Sequence, residues 1–420
     1  MDFSRGLEDL LAVALVAALA PLVVAILPGR VPQVAVFLIG GILIGPHVLG
    51  LAETSNIALL ANIGLGFLFF LAGYEIEPQL LRQQPGLLAM IGWLMSAVIA
   101  VGVVAGLSAA GYVRDFVPVA LALTTTALGV LMPILRDHDM LGGRFGRDVE
   151  SAGTVGELIP ILIIAVFLTQ RGHFVALASV ALVGALALAL TAVPWLARSP
   201  AVRRVIREGQ DATGQTTLRW AMVLLFGLLL IASRFGLDVV LGAMLAGLVL
   251  RAWTRRMNID ATGLERKFDA VGYGVFIPIF FITSGMTLDV TALRQDPLRM
   301  LILFGLLLVV RGLPSLLVYR RTLPFPQRLE MTFITATTMP LLVALAEIGE
   351  RDGIMLPATA AAMIGAGVLS VLVYPFIAVT LHRSTLLKLA EARSTTAEPA
   401  AETSPLPENP GHEPKAGPGG

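Results

Sequence analysis

The chain has 420 residues, 56% of them hydrophobic and only 14% charged, with a mean hydropathy of +0.83. Soluble domains carry about 25% charged residues, so this composition cannot clothe a water-facing surface. A net charge of +1 says nothing about partners, no nucleic-acid partner is expected, and the absence of cysteine excludes disulfides, thiolate metal sites and thiol redox chemistry.

Apolar runs of about 20 residues, the length that carries a helix across ~30 Å of hydrocarbon, recur with short polar breaks. They lie at about 7–27, 31–50, 56–76, 86–111, 116–135, 149–169, 174–196, 218–233, 237–253, 268–287, 298–319, 329–349 and 354–381. The first is followed by Pro28-Gly29-Arg30 instead of a small-residue cleavage site, and is expected to be a retained helix. The predicted fold is an all-α polytopic membrane protein of about 13 transmembrane helices over residues 1–385. Beyond it, residues 386–420 turn rich in Ala, Pro, Glu, Ser, Thr and Gly, which predicts a disordered cytoplasmic tail.

Thirteen crossings put the connections alternately on two faces. Of the 30 basic residues, 7 fall on the face with the N-terminus (Arg5, Arg114, Arg171, Arg234, Arg294, Arg299 and Arg351), and 22 fall on the face with the C-terminus. Basic residues mark the cytoplasmic side. The expected orientation is N-terminus outside and C-terminus cytoplasmic, in a plasma or inner membrane.

In chain order, four spans carry the polar chemistry. The fifth contains Thr124, Thr125 and Thr126, followed by Pro133; the twelfth contains Thr335, Thr337 and Thr338, followed by Pro340. β-Branched runs with a nearby Pro make poor helix interiors, so both segments are expected to be broken or unwound. Freed carbonyls at such breaks can coordinate a cation at membrane depth. A Thr hydrogen-bonded to its own turn, with Pro as a simple kink, is the alternative.

The sixth span carries Glu157, preceded by Thr154, and the eleventh carries Arg311, each alone among charges near the middle of its span. A charge at the bilayer centre costs at least ~2.5 kcal/mol on insertion scales, which makes each a functional candidate. The competing reading is a buried structural ion pair between them. Glu75, Glu77 and Asp289 lie at span ends, where interfacial solvation suffices, and Glu347 fits an interfacial position. His47 and His173 read as structural, and the glycines at 41, 45, 242 and 247 as sites of close helix packing.

An internal repeat appears at a constant offset of 212 residues. Gly73-Tyr74-Glu75-Ile76-Glu77 and Leu81-Arg82-Gln83-Gln84-Pro85 match Gly285-Met286-Thr287-Leu288-Asp289 and Leu293-Arg294-Gln295-Asp296-Pro297, and Thr126 falls on Thr338. The matched segments lie seven crossings apart, an odd number, so two copies (about 31–170 and 237–381) are expected to sit upside down relative to each other. Inverted repeats are the architecture of secondary transporters.

These features, with Gly40-Gly41-Ile42-Leu43-Ile44-Gly45-Pro46, Leu241-Gly242-Ala243-Met244-Leu245-Ala246-Gly247 and Phe280-Phe281-Ile282-Thr283-Ser284-Gly285-Met286, make the chain resemble the monovalent cation/proton antiporters of the cation:proton antiporter-2 branch. The resemblance covers about residues 7–385. It implies two broken helices crossing at the site and a proton- and cation-binding carboxylate at Glu157. It also implies a basic residue at Arg311 facing that site as counter-charge. Candidate ligands for a monovalent cation are Glu157, Thr154, Thr125, Thr126, Thr337 and Thr338.

Relatives carry an acid or amide before the essential acid, whereas this chain has Gly156. With one titratable acid and an Arg, the resemblance implies electroneutral exchange of Na+ or K+ for protons, by a homodimer without a cofactor. A gated potassium efflux channel and an organic-solute symporter on the same scaffold are the alternatives. Many potassium-exporting relatives carry a large nucleotide-binding domain where the short tail lies here, so nucleotide control is expected to need a separate subunit.

Overall fold

Every element of the described chain is a helix, as the composition demands, because a backbone in hydrocarbon must satisfy its own N–H and C=O groups. The computed structural model describes residues 3–26, 32–167, 173–193, 215–257, 261–288, 290–291, 296–351 and 353–396. In chain order these form α1 (Phe3–Ile26), α2 (Gln33–Ile44), α3 (Thr54–Glu75), α4 (Pro78–Leu81), α5 (Gln84–Ala109), α6 (Phe116–Ala122), α7 (Leu128–Asp137), α8 (Gly143–Phe167) and α9 (His173–Leu190). They continue with α10 (Thr216–Arg234), α11 (Val239–Met257), α12 (Ala261–Val271), α13 (Ile277–Thr287), α14 (Pro297–Leu307), α15 (Pro314–Val318), α16 (Phe325–Ala336), α17 (Pro340–Arg351) and α18 (Pro357–Thr396).

Each apolar stretch read from the sequence carries helix, and nine helices among the described residues are long and apolar enough to cross a bilayer. The others fall short for visible reasons. Gln33–Ile44 and Phe174–Leu190 are apolar but shorter, 116–135 is divided between α6 and α7, and α11 ends on Arg255 and Arg256. The last helix runs to Thr396, past the 385 boundary expected for the transmembrane domain. Residues 397–420 of the expected tail lie outside the described residues, as do Arg171, Asp289, Arg294 and the basic run from Arg198 to Arg207.

The helices pack as two groups. One comprises α1, α2, α3, α10, α11 and α13; the other comprises α5, α8, α14, α16, α17 and α18, with α9 touching both α8 and α11. In the first group glycines bring backbones together. A Cβ built on Gly41 would lie 2.0 Å from the Ile282 carbonyl oxygen, and one on Gly247 would lie 2.1 Å from that of Phe70. Only a missing side chain permits such approach. In the second group 89% of the 18-residue apolar window within 325–350 is buried, against 17% of that within α1, so the second Thr-rich stretch sits at the centre and α1 at the periphery.

Two π-helical stretches, Gly272–Phe276 and Leu308–Gly312, interrupt the run from α12 to α13 and from α14 to α15. Each precedes a proline, Pro278 and Pro314, which cannot donate to the ladder and crowds the preceding turn. In the second stretch Leu313 donates to Leu308 at 2.9 Å, five residues back, and Arg311 is carried on that widened turn.

Candidate ion-binding site

Both Thr-rich segments are broken, as their chemistry predicts. Residues 123–127 part α6 from α7, and 337–339 part α16 from α17. Pro340 opens α17, whereas Pro133 lies inside α7, so the breaks track the Thr runs more closely than the prolines.

The two breaks lie against each other and are tied by direct hydrogen bonds. The hydroxyls of Thr125 and Thr338 meet at 2.7 Å, the Thr126 hydroxyl donates to the Thr335 carbonyl at 2.7 Å, and the Ala127 amide donates to the Thr337 carbonyl at 2.9 Å. Ser370 of α18 secures the second break, accepting from the Thr338 amide at 3.1 Å and donating to its carbonyl at 2.6 Å. Backbone groups that lose helical partners must find others when buried, and here each break supplies partners for the other.

Glu157 sits on α8 beside this junction, 4% exposed. Its Oε1 accepts from the amide of Leu128, the first residue of α7, at 3.0 Å. The opening turn of a helix has N–H groups without intrahelical acceptors and carries the positive end of the dipole. The broken helix thus presents to the carboxylate a donor that an unbroken one would not have.

Pro160 contributes from the same helix. It has no N–H to give the carbonyl of Gly156 four residues back, and that freed carbonyl accepts from the Thr126 amide at 3.1 Å. Pro133 likewise frees Gly129, whose carbonyl accepts from the Tyr273 hydroxyl at 3.0 Å. Two helix-interior prolines therefore create acceptors used across helices.

Arg311 is 2% exposed and reaches the same junction, but it does not pair with Glu157. Its Nε donates to the Thr126 hydroxyl at 2.9 Å and its Nη2 to the Ala152 carbonyl at 2.9 Å. The buried structural ion pair weighed from the sequence is not the arrangement found. The guanidinium lies along α8 one turn before the acid.

The other candidates divide. Thr125, Thr126 and Thr338 come together at the junction; the Thr337 hydroxyl turns back to the Phe333 carbonyl at 3.0 Å, leaving its carbonyl for the junction. Thr154 lines a small cavity with Glu75, Glu77, Glu150, Ser151 and Leu128. Glu75 is more than the interfacial helix end expected from its position, because its Oε2 is buried without a hydrogen-bond partner and its Oε1 lies 3.7 Å from Arg136. The cavity places three carboxylates on the approach to Leu128 and Thr154. Ser370 and Tyr273 were also missed, although each places a hydroxyl in an apolar stretch.

Two broken helices thus meet beside the buried carboxylate of Glu157 within a bundle of membrane-length apolar helices. The sodium/hydrogen exchanger transmembrane family matches residues 13–383, and the chain belongs to it. It is 25% identical over 364 residues to the putative Na(+)/H(+) antiporter YjbQ of Bacillus subtilis (strain 168), covering 82% of this chain and 58% of that one. It is 28% identical over 410 residues to the glutathione-regulated potassium-efflux system protein KefC of Salmonella schwarzengrund (strain CVM19633), covering 94% and 63%. The chain thus spans about three fifths of the length of these curated relatives. Among solved structures, the sodium proton antiporter MjNhaP1 from Methanocaldococcus jannaschii at pH 8 has the same fold, with a TM-score of 0.64 and 18% identity over 92% of this chain and 97% of that one.

Proposed function

We propose that the protein is a secondary antiporter exchanging a monovalent cation, Na+ or K+, for protons by alternating access. The observation that carries this reading is the buried carboxylate of Glu157, held by a backbone amide at the meeting point of two broken helices and free of any ion pair with Arg311. Such a group can bind a proton or a cation but not both, and competition for one carboxylate couples the two fluxes. Arg311 stays protonated and acts as a fixed positive charge beside the site.

Glu157 and Thr154 are the proposed ligands nearest the acid-lined cavity. Thr125, Thr126, Thr337 and Thr338 complete the site from the two breaks. The cavity carboxylates Glu75, Glu77 and Glu150 would concentrate cations on its approach. One titratable acid with a fixed guanidinium favours electroneutral exchange.

The packing in two groups supports a core containing α6, α7, α8, α16, α17 and α18 that moves against a panel containing α1, α2, α3, α10, α11 and α13. Thirteen crossings, inverted repeats, an outside N-terminus, a cytoplasmic C-terminus in the inner membrane and a homodimer formed through the panel complete the proposal. The potassium-efflux relative keeps K+ beside Na+ as a candidate cargo.

The test is proteoliposomes with an internal pH dye, pulsed with Na+, K+ or Li+. Wild type should move protons in response, and Glu157→Gln should not. Full-rate exchange by Glu157→Gln would sink the proposal, and a cation current without proton movement would favour a channel.

A further inference from the structure

The position where relatives of this chain were expected to carry an acid or amide holds Gly156, and the structure gives a reason. A Cβ built there would lie 2.7 Å from Arg311 Nη2, 2.7 Å from Thr126 Oγ1 and 2.8 Å from Thr126 Cβ. Contacts this short do not occur between real side chains, so any residue larger than glycine must displace the guanidinium, the threonine or both.

Neither neighbour is free to yield. Arg311 is fixed by its bonds to Thr126 and Ala152, and Thr126 is held through its amide by the Gly156 carbonyl and through its hydroxyl by the Thr335 carbonyl. The Cβ of Thr126 is a stub on the backbone of the break itself, so moving it moves the break. Other helical glycines carry no such constraint: a Cβ on Gly102 or Gly106 of α5 meets nothing within 4 Å.

We infer that Gly156 is a positioning residue for cation exchange: its missing side chain leaves the volume in which the Arg311 guanidinium and the Thr126 side chain meet. The inference rests on the antiporter reading for its functional consequence. Its geometric content, a steric coupling between positions 156 and 311, stands independently. It also accounts for the solitary acid, since a second carboxylate at 156 would occupy the place of the guanidinium.

The test is a double-mutant cycle on the full chain in proteoliposomes, with Gly156→Ala, Arg311→Lys, the double variant, and Gly102→Ala as control. Lysine lacks the Nη2 atom that the added methyl would meet. Gly156→Ala should raise the cation concentration for half-maximal exchange about tenfold with a smaller change in maximal rate, a size usual for coupled neighbours. In the Arg311→Lys background, where the contact with Thr126 remains, the same substitution should cost clearly less than in wild type, about threefold. Gly102→Ala should match wild type.

Independent, multiplying effects of the two substitutions would overturn the inference, as would a Gly156→Ala protein indistinguishable from wild type. If Gly156→Ala fails to fold, the double variant decides by its yield of monodisperse protein: a yield above that of Gly156→Ala supports the coupling, and an equal yield refutes it. Melting temperatures read the same cycle without transport. Failure of the antiporter reading, seen as active Glu157→Gln, is therefore separable from failure of this one.

Discussion

The amide of Thr126 reaches the carbonyl of Gly156 at 3.1 Å, joining the first break to the helix that carries the acid, and it does so because Pro160 leaves that carbonyl without a helical donor. A residue usually read as a kink thus works as a device for producing an acceptor inside hydrocarbon. An unmatched carbonyl there is costly, and the nearest donor is the amide that the broken helix has released.

Replacing Pro160 with Ala restores an N–H that competes with Thr126 for this carbonyl. Thermal stability should hold or rise, since Pro in a helix interior costs about 3 kcal/mol. Exchange should slow by about fivefold, because one hydrogen bond of ~1 kcal/mol no longer fixes the break. Melting curves and proteoliposome rates measured on the same preparation check both directions.

The Thr125–Thr338 bond is testable by isosteric removal of either hydroxyl. Thr125→Val and Thr338→Val should each destabilise by about 1 kcal/mol, and the double variant by clearly less than their sum. Additive losses would mean that the two hydroxyls do not interact.

Competition between cation and proton fixes the sign of the pH dependence. As pH falls through the ionisation of Glu157, the proton occupies the carboxylate, and the apparent KM for the cation should rise about tenfold per pH unit while the maximal rate is preserved. Above that ionisation KM should level off. A KM that does not change with pH would rule out a shared site.

Packing through glycine gives a stability test remote from the site. Gly247→Val places a methyl-bearing carbon where 2.1 Å separates an ideal Cβ from the Phe70 carbonyl oxygen, and overpacking of this kind costs about 1–3 kcal/mol or more. The yield of monodisperse protein should collapse, whereas Gly227→Val, with nothing within 4 Å of its Cβ, should be tolerated.

Much of this was legible in the residues. The apolar runs located the helices, the β-branched Thr runs located both breaks, and the isolation of Glu157 and Arg311 in apolar spans marked them as exceptional. What the sequence did not show is how the polar groups pair. Arg311 and Glu157 are opposite charges in apolar spans, so an ion pair between them was the competing reading. The guanidinium is instead one turn away, because a π-helical turn re-aims its side chain and Gly156 gives it room. Glu75 looked interfacial because it ends its span, and only the packing of α3 against its neighbours places it on a cavity with Thr154. Ser370 was invisible for a related reason: its value lies in a partner 32 residues away.

Because the two breaks hydrogen-bond to each other, the groups proposed to hold an ion form one connected unit. The cation would then meet the same oxygens in the same geometry whichever side of the membrane the carrier faces. On the proposed antiporter reading, one set of ligands would then serve both surfaces, and the opposing sodium, potassium and proton gradients would set the direction of net flow.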